Sequence, residues 1–466
     1  MAEQAGRFSR RAVLAGALGA AAAPRGMTMV DDPRLPVPTP EQLAWQEAEL
    51  SVFFHFGVNT FTNREWGEGT EDPAIFNPES LDAEQWVDAA KQAGFKYLIL
   101  TAKHHDGFCL WPSRHTKHSV AASPWRGGKG DVLGDFAKAV HAAKLKLGIY
   151  ISPWDRHEPC YGDSPAYNKH FVAQLDEALT RYGEVGEVWF DGACGEGPNG
   201  KRQEYAWDDF YATVRKRQPK ALIAICGPDI RWVGNEDGYA RETEWSIQPA
   251  PNGARAVVDG KAWWPAECDV SIRPGWFWHP AEDARVKPLD HLLDIYFRSV
   301  GRNSMLLLNV PPNRHGVLAD PDVARLAEFG AAVRRMFGQD LARGKRVTAS
   351  AGKGGALTDG RPSTHWSVSG GLPASAEVDL GSPVTFDVVC TQEQVSRSQR
   401  VEAYRVEARV DGEWRTLVQG TTIGRKKLDR MRPVTADRVR LTLEKALAPP
   451  MVTALGLYRT GAPGTE

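Results

Sequence analysis

Short apolar runs alternate with segments of helical periodicity from residue 50 to about residue 340. Residues 50–57 form the first predicted strand, and residues 80–93, whose apolar positions recur at helical spacing before a glycine, form the helix after it. The same order recurs as far as a predicted strand at 305–310 and a last helix behind it. This repetition predicts an α/β fold with a parallel sheet and helices outside it.

Roughly eight strand positions in this part of the chain predict a (β/α)8 barrel, whose active site would lie at the carboxyl ends of the strands. Periodicity is weak between residues 227 and 288, so the second half of the barrel is expected to be irregular. A doubly wound sheet is the alternative. Such a sheet more often carries a glycine-rich phosphate loop after its first strand, and this chain has none there.

After residue 338 the pattern changes to short alternating runs, such as 376–380 and 404–410, separated by glycine, proline and aspartate. This pattern is typical of an all-β sandwich. The predicted organisation is therefore an amino-terminal segment of residues 1–30 outside the fold, a barrel at 31–340 and a sandwich at 341–466.

The amino-terminal segment places the paired arginines Arg10 and Arg11 ahead of an Ala/Leu/Gly run that extends to residue 23. It resembles a twin-arginine export signal, which is removed on transport. We therefore expect a bacterial protein that is periplasmic or extracellular. The run is a poor membrane span because it is short and rich in alanine and glycine, and no later stretch offers one.

Composition narrows the possible partners. With 57 basic and 58 acidic residues, the chain has no charge excess to attract nucleic acid or an anionic membrane. The 16 tryptophans suit stacking on sugars or bases, although many could simply fill a large core. The six cysteines show no CxxC and no closely spaced metal pattern, so we expect free, mostly buried thiols.

The candidate chemistry lies where predicted strands end. The apolar run at 187–190 stops at Asp191, which a glycine follows, and other strands end near His55, His104 and Tyr150. The carboxyl ends of barrel strands meet at one rim, so these side chains are expected to surround one site. The alternatives are an ordinary Asp-Gly turn and, for His55, a buried core histidine.

One aspartate among aromatic residues and histidines indicates cleavage of a carbohydrate, which usually needs two carboxyl groups on either side of the glycosidic bond. Asp191 is the predicted nucleophile. The acid must come from another loop, and the spacing does not choose between the candidates, which are Glu236, Glu242, Glu244 and Glu267. The pair His104-His105 is not expected to bind a metal, because adjacent residues on a strand point to opposite faces.

Several uncommon motifs occur in the right order to identify a family. They are Phe54-His55-Phe56-Gly57, Glu65-Trp66, residues 102–111 (AKHHDGFCLW), Val188-Trp189-Phe190-Asp191-Gly192 and Leu308-Asn309-Val310-Pro311-Pro312-Asn313. Together they resemble the α-L-fucosidases of glycoside hydrolase family 29. The resemblance implies a retaining exo-hydrolase that acts on fucosylated oligosaccharides or glycoconjugates and needs no cofactor or catalytic metal.

The resemblance also assigns roles. Asp191 matches the nucleophile, and the segment at Asn235-Glu236 resembles the acid/base loop of the subgroup that acts on α-1,3 and α-1,4 linkages in branched glycans. Glu236 is therefore the preferred acid/base, with Glu267 second. The expected substrate-binding residues are His55, Glu65, Trp66, His104, His105, Tyr150, Trp189 and Trp278. A plain loop anchor is the alternative for Glu65-Trp66.

The carboxy-terminal pattern Thr358-Asp359-Gly360, followed by Thr364-His365-Trp366, resembles discoidin or galactose-binding-like modules. Such a module could bind sugar or could pack against the barrel. Two other functions also stay open: a glycan-binding protein without catalysis, and a related glycosidase with another sugar preference. The sequence predicts no oligomeric state.

Overall fold

The computed structural model describes residues 34–369 and 371–461, so the predicted export signal lies outside the described residues. The strands of the first domain are β1 (Leu50–Phe54), β2 (Tyr97–Lys103), β3 (Lys146–Ile151), β4 (Glu187–Phe190), β5 (Leu222–Ile225), β6 (Arg231–Trp232), β7 (Ile247–Pro249), β8 (Lys261–Trp263), β9 (Ala266–Ser271) and β10 (Met305–Asn309). Its helices are α1 (Pro40–Ala48), α2 (Val58–Thr62), α3 (Ala83–Ala93), α4 (Val132–Ala142), α5 (Ser164–Arg181), α6 (Trp207–Arg217), α7 (Leu289–Arg298) and α8 (Asp320–Met336).

Eight of these strands form one sheet in the order β5-β4-β3-β2-β1-β10-β9-β6, with every neighbouring pair parallel. The sheet is a nearly closed barrel, as predicted. Its irregular part is also where the sequence predicted it: β6 has two residues, and β7 and β8 form a separate antiparallel hairpin. The chain between β5 and β6 makes a tight antiparallel bridge from Cys226 to Arg231.

Local sequence explains where the helices begin and end. The side chains of Asp82, Asp131 and Asp163 accept hydrogen bonds from the backbone N–H groups at the starts of α3, α4 and α5. These caps satisfy donors that a helix leaves unpaired. Helix α3 ends at Gly94, whose φ of 104° is readily adopted by glycine. No helix in the described part of the chain is long and apolar enough to cross a membrane.

The alternating direction of side chains along β4 determines which of them point into the barrel. Val188 and Phe190 pack in the layer between the sheet and the helices. Trp189 belongs to a separate apolar cluster with Phe53 and Tyr150. Because successive side chains on a strand point to opposite faces, Asp191 follows Trp189 on the inner side, at the carboxyl end.

The second domain is an antiparallel β-sandwich with its own apolar core. Its strands are β11 (Arg346–Ala349), β12 (Trp366–Ser367), β13 (Ala374–Glu393), β14 (Val401–Val410), β15 (Glu413–Gly420), β16 (Lys427–Ala446) and β17 (Met451–Tyr458). The order is β12-β17-β13-β16-β14-β15, and β11 pairs with β13. The amino end of β16 lies on the barrel, where the N–H of Leu428 donates to the carbonyl of Gly301 at 2.9 Å.

Candidate active site

A cavity of about 190 Å³ opens at the carboxyl ends of the barrel strands. Its lining residues are Phe53, His55, Trp66, His104, His105, Tyr150, Trp189, Asp191, Ala193, Glu236, Asp269 and Trp276. The residues that line this cavity, and not its volume, identify it as the candidate site. Larger clefts, of about 450 and 490 Å³, lie on the sandwich and at the junction of the sandwich with the barrel. The cavity brings together most of the residues that the sequence nominated.

Hydrogen bonds to both oxygens orient the carboxylate of Asp191. The hydroxyl of Tyr150 donates to its Oδ2 at 3.0 Å, and the N–H of Ala193 donates to its Oδ1 at 2.7 Å. The Nε2 atom of His105 lies 3.9 Å from Oδ2. The side chain of Asp191 remains 26 % exposed, so a bound ligand can reach it. This arrangement suits a group that attacks a reacting atom in the cavity.

The histidines of the cavity are buried and neutral. Burial lowers the pKa of His55 to about 3 and lowers the pKa values of His104 and His105 as well. The Nδ1 of His55 lies 2.8 Å from Oδ1 of Asn309, whose amide nitrogen donates to Trp276 O and Ser271 Oγ. Because that amide oxygen can only accept, Nδ1 of His55 carries the hydrogen and Nε2 is free to accept one. Neutral imidazoles of this kind can bind sugar hydroxyls.

The burial of His55 predicts a pH dependence of stability. Below pH 6.5 the unfolded chain binds a proton at this ring, whereas the folded protein does not until about pH 3, so stability is lost as the pH falls through this range. The largest slope is about 1.4 kcal/mol per pH unit. We expect His55→Gln to flatten the fall in unfolding free energy by about 1 kcal/mol per pH unit between pH 6 and 4, measured by urea denaturation. Parallel curves for the two proteins would contradict this.

Aromatic rings form the floor and one wall of the cavity. Tyr150 stacks on Trp189 with ring centroids 5.2 Å apart, and Phe53 meets Trp189 edge-on at 5.0 Å. Trp66 contacts His105 and Trp154 edge-on, each at 5.7 Å, and is 56 % exposed. An exposed indole beside hydrogen-bonding groups is suited to the apolar face and the hydroxyls of a sugar.

Glu236 lies on the loop after β6, where its Oε2 accepts a hydrogen bond from Nε1 of Trp276 at 3.1 Å. The side-chain oxygen of Asn235 accepts hydrogen bonds from the N–H groups of Asp237 and Tyr239, which forms a compact turn around Glu236. Gly238 has a φ of 78°, and a Cβ there would lie 2.9 Å from the side chains of Val270 and Ile295. The local sequence therefore fixes the turn that presents Glu236.

The other nominated acids do not line the cavity. Glu267 is buried beneath its floor, where it accepts a hydrogen bond from Nε1 of Trp189 at 2.9 Å. Burial and the neighbouring carboxyl of Glu187 raise its pKa well above the usual range. Glu244 is buried between Arg231 and Arg241, and the side chain of Glu242 is 84 % exposed beside Arg302.

Glu65 and Trp278 also lie outside the cavity wall. The carboxylate of Glu65 accepts hydrogen bonds from the N–H of Trp276 at 2.7 Å and the N–H of Phe277 at 3.2 Å, and contacts the ring of His279. It therefore anchors the loop that carries Trp276, which was the alternative interpretation of this position. Trp276 lines the cavity in the place expected for Trp278, because the indole of Trp278 is directed to Asp283 at 3.1 Å.

The sequence analysis missed Asp269 and Trp276. Asp269 is buried, accepts a hydrogen bond from Nε1 of Trp232 at 2.7 Å, and lines the cavity. Burial, with smaller contributions from the carboxylates of Glu236 and Asp191, raises its pKa to about 7. The signal for Asp269 was present, since it follows Glu267 by two residues on one strand and therefore shares its inward face nearer the rim.

Comparisons with known proteins agree with this architecture. Residues 37–336 match the model of a family described as alpha-L-fucosidase, and residues 345–453 match the F5/8 type C domain. The chain is 43 % identical over 454 residues to alpha-L-fucosidase 1 of Arabidopsis thaliana, which covers 91 % of this chain and 88 % of that protein.

Solved structures are similar over nearly the whole length. The crystal structure of SpGH29 has 41 % identity and a TM-score of 0.87, covering 93 % of this chain and 99 % of that one. A Ruminococcus gnavus GH29 fucosidase in complex with fucose has 36 % identity and a TM-score of 0.84, covering 96 % of this chain and 97 % of that one. Both domains therefore have counterparts in these proteins.

Proposed function

Because this chain belongs to the alpha-L-fucosidases of glycoside hydrolase family 29, we propose that it is a retaining exo-enzyme that releases terminal α-L-fucose from fucosylated oligosaccharides or glycoconjugates. The observation that carries this proposal is that Asp191 and Glu236, 45 residues apart in the sequence by their numbers, line one cavity. Retaining hydrolysis needs one ionised carboxylate at the anomeric carbon and one protonated carboxyl at the leaving oxygen.

Asp191 and Glu236 would each act in both steps of the reaction. In the first step an oxygen of Asp191 bonds to the anomeric carbon while the bond to the leaving oxygen breaks and that oxygen takes the proton of Glu236. In the second step Glu236 takes a proton from water, whose oxygen displaces Asp191 and restores the original configuration. Tyr150 and the N–H of Ala193 orient Asp191, and Trp276 orients Glu236.

The remaining lining residues bind the sugar in this proposal. His55, His104 and His105 bind fucose hydroxyls as neutral rings. Trp66 and Trp189 contact the apolar face of the sugar. Glu65 contributes by holding the Trp276 loop, and Glu267 by holding Trp189 from below.

We propose that the leaving group is a branched glycan with an α-1,3 or α-1,4 linkage to fucose. The likeness of the Asn235-Glu236 segment to the loop of that subgroup supports this specificity. Glu236 and the nearby Trp232 are exposed, and Trp232 is 39 % accessible, so a leaving group larger than one sugar has room to approach.

A panel of three fucosides and one galactoside tests the proposal. We expect free fucose from an aryl α-L-fucoside and from a Lewis-type trisaccharide, and much less from 2′-fucosylated lactose, measured by release of the monosaccharide. Release from none of them would contradict the activity. Equal release from the trisaccharide and from 2′-fucosylated lactose would contradict only the linkage preference. Cleavage of an aryl galactoside faster than that of the aryl fucoside would favour an enzyme that prefers another sugar.

We assign catalysis to residues 31–340 and the F5/8 type C domain to the sandwich at 341–466. The pattern around Arg10 and Arg11 supports export of a bacterial protein by the twin-arginine route to the periplasm or the medium. Detecting the mature chain outside the cytoplasm, and its retention inside after Arg10→Lys and Arg11→Lys substitution, would test that assignment.

A further inference from the structure

The loop that carries Glu236, residues 233–246, is held by the barrel at its start and by both the barrel and the sandwich at its far end. At its start, the N–H of Val233 donates to the carbonyl of Glu267 in the barrel at 3.0 Å. At its far end, the N–H of Ser246 donates to the side-chain oxygen of Gln399 in the sandwich at 2.8 Å. We call residues 233–246 the acid/base loop.

Gln399 is fully buried and both ends of its amide are bonded. Its oxygen accepts from Ser246 N and, at 3.2 Å, from Nδ2 of Asn303. Its nitrogen donates to the carbonyl of Glu244 at 3.1 Å and to Oγ1 of Thr422 at 2.6 Å. A buried amide costs free energy unless its groups are paired, so these contacts fix the backbone of the loop at two positions.

Two more contacts from the sandwich reach the same stretch of loop. Nζ of Lys427 donates to the carbonyl of Glu242 at 3.2 Å, and the hydroxyls of Thr421 and Thr243 lie 2.5 Å apart. The sandwich therefore contacts residues 242, 243, 244 and 246 in turn.

A buried ion pair connects this end of the loop to its start. The carboxylate of Glu244, 1 % exposed, pairs with Arg231. Arg231 and Trp232 are the two residues immediately before the loop. Trp232 in turn donates to Asp269 in the cavity wall. A shift of residue 244 therefore moves both ends of the segment that presents Glu236.

We propose that the sandwich domain positions the acid/base loop and thereby keeps Glu236 aligned with the leaving oxygen, with Gln399 as the principal positioning residue. This inference rests on the proposed role of Glu236. Gln399 does not touch the cavity, so its removal affects proton donation through the backbone of the loop.

The test is Gln399→Met, which keeps the size of the side chain and removes its hydrogen bonds. We expect kcat/KM with a Lewis-type trisaccharide to fall about 100-fold, because a misplacement of about 1 Å costs that much. The kcat/KM of a dinitrophenyl fucoside, which reports formation of the covalent intermediate, should fall about threefold or less, since its leaving group needs little protonation. Across a series of aryl fucosides, the dependence of log kcat/KM on the basicity of the leaving phenol should become steeper.

The matched control is Gln419→Ala, an exposed glutamine of the same domain, which should leave both substrates unaffected. Lys427→Met removes one contact at the edge of the interface, and we expect about a tenfold loss confined to the trisaccharide. If Gln399→Met does not fold, the kinetics of Lys427→Met test the inference instead. Equal loss on both substrates, or no loss on either, would overturn the inference. A parent protein inactive on the aryl fucoside would overturn the proposed function itself.

Discussion

Asp191→Ala is expected to lower kcat for fucose release by roughly 10⁴- to 10⁶-fold, because in the proposed mechanism it removes the group that attacks the sugar. The loss applies to aryl fucosides and oligosaccharides alike, because both substrates need the same bond to the anomeric carbon. The fold should persist, since Asp191 is partly exposed and, among the residues that the structure describes, only Tyr150 and Ala193 donate hydrogen bonds to its carboxylate. Steady-state kinetics and thermal unfolding measure the two effects separately.

The matched control is Asp88→Ala, which removes an exposed carboxylate from helix α3 and should change neither property. Added azide can enter the space left by the Asp191 side chain, and the product should be a fucosyl azide of inverted configuration. A variant that releases fucose at nearly the parent rate would show that another group attacks the sugar.

Glu236→Ala should separate substrates by their leaving groups. Loss of a positioned acid costs about 10²- to 10⁴-fold where the leaving oxygen must be protonated, as in an oligosaccharide. With a dinitrophenyl fucoside, the covalent intermediate should form at nearly the parent rate. It should then accumulate, because Glu236 is no longer present to take a proton from the attacking water. A pre-steady-state burst followed by slow turnover, which azide accelerates, is the expected signature.

Glu242→Ala is the control from the same loop, since its side chain is 84 % exposed and should be dispensable. An equal loss on both substrates in the rate of forming the covalent intermediate would point to a different acid. Asp269 would then be the next candidate, because it lines the cavity and burial raises its pKa to about 7. Glu267 is less suited, since Trp189 separates it from the cavity.

Residues at the ends of regular strands could be predicted from the sequence because the carboxyl ends of barrel strands meet at one rim. Asp191, His55 and Tyr150 were placed at one rim by this rule, and the structure brings them into one cavity. The predicted irregularity between 227 and 288 is confirmed by the two-residue strand β6 and the β7–β8 hairpin.

Residues in the irregular region could not be predicted in the same way. The orientation of Trp276 depends on hydrogen bonds from its backbone to Glu65, 211 residues away, which no local pattern shows. The depth of Glu267, which lies two residues before Asp269 on β9, could not be predicted because it depends on where that short strand ends. Nothing in the local sequence around Gln399 indicates that it contacts the loop of another domain.

The unequal lengths of β4 and β6 have a consequence for how this family can diversify. Strand β4 is paired on one side with β3 and on the other with β5, so Asp191, the proposed nucleophile, directly follows a rigid part of the ring. Strand β6 contributes two residues to the sheet and is followed by a long connection. Changes in the length of that connection would therefore move the proposed proton donor, Glu236, without moving the proposed nucleophile, Asp191, and without rebuilding the barrel.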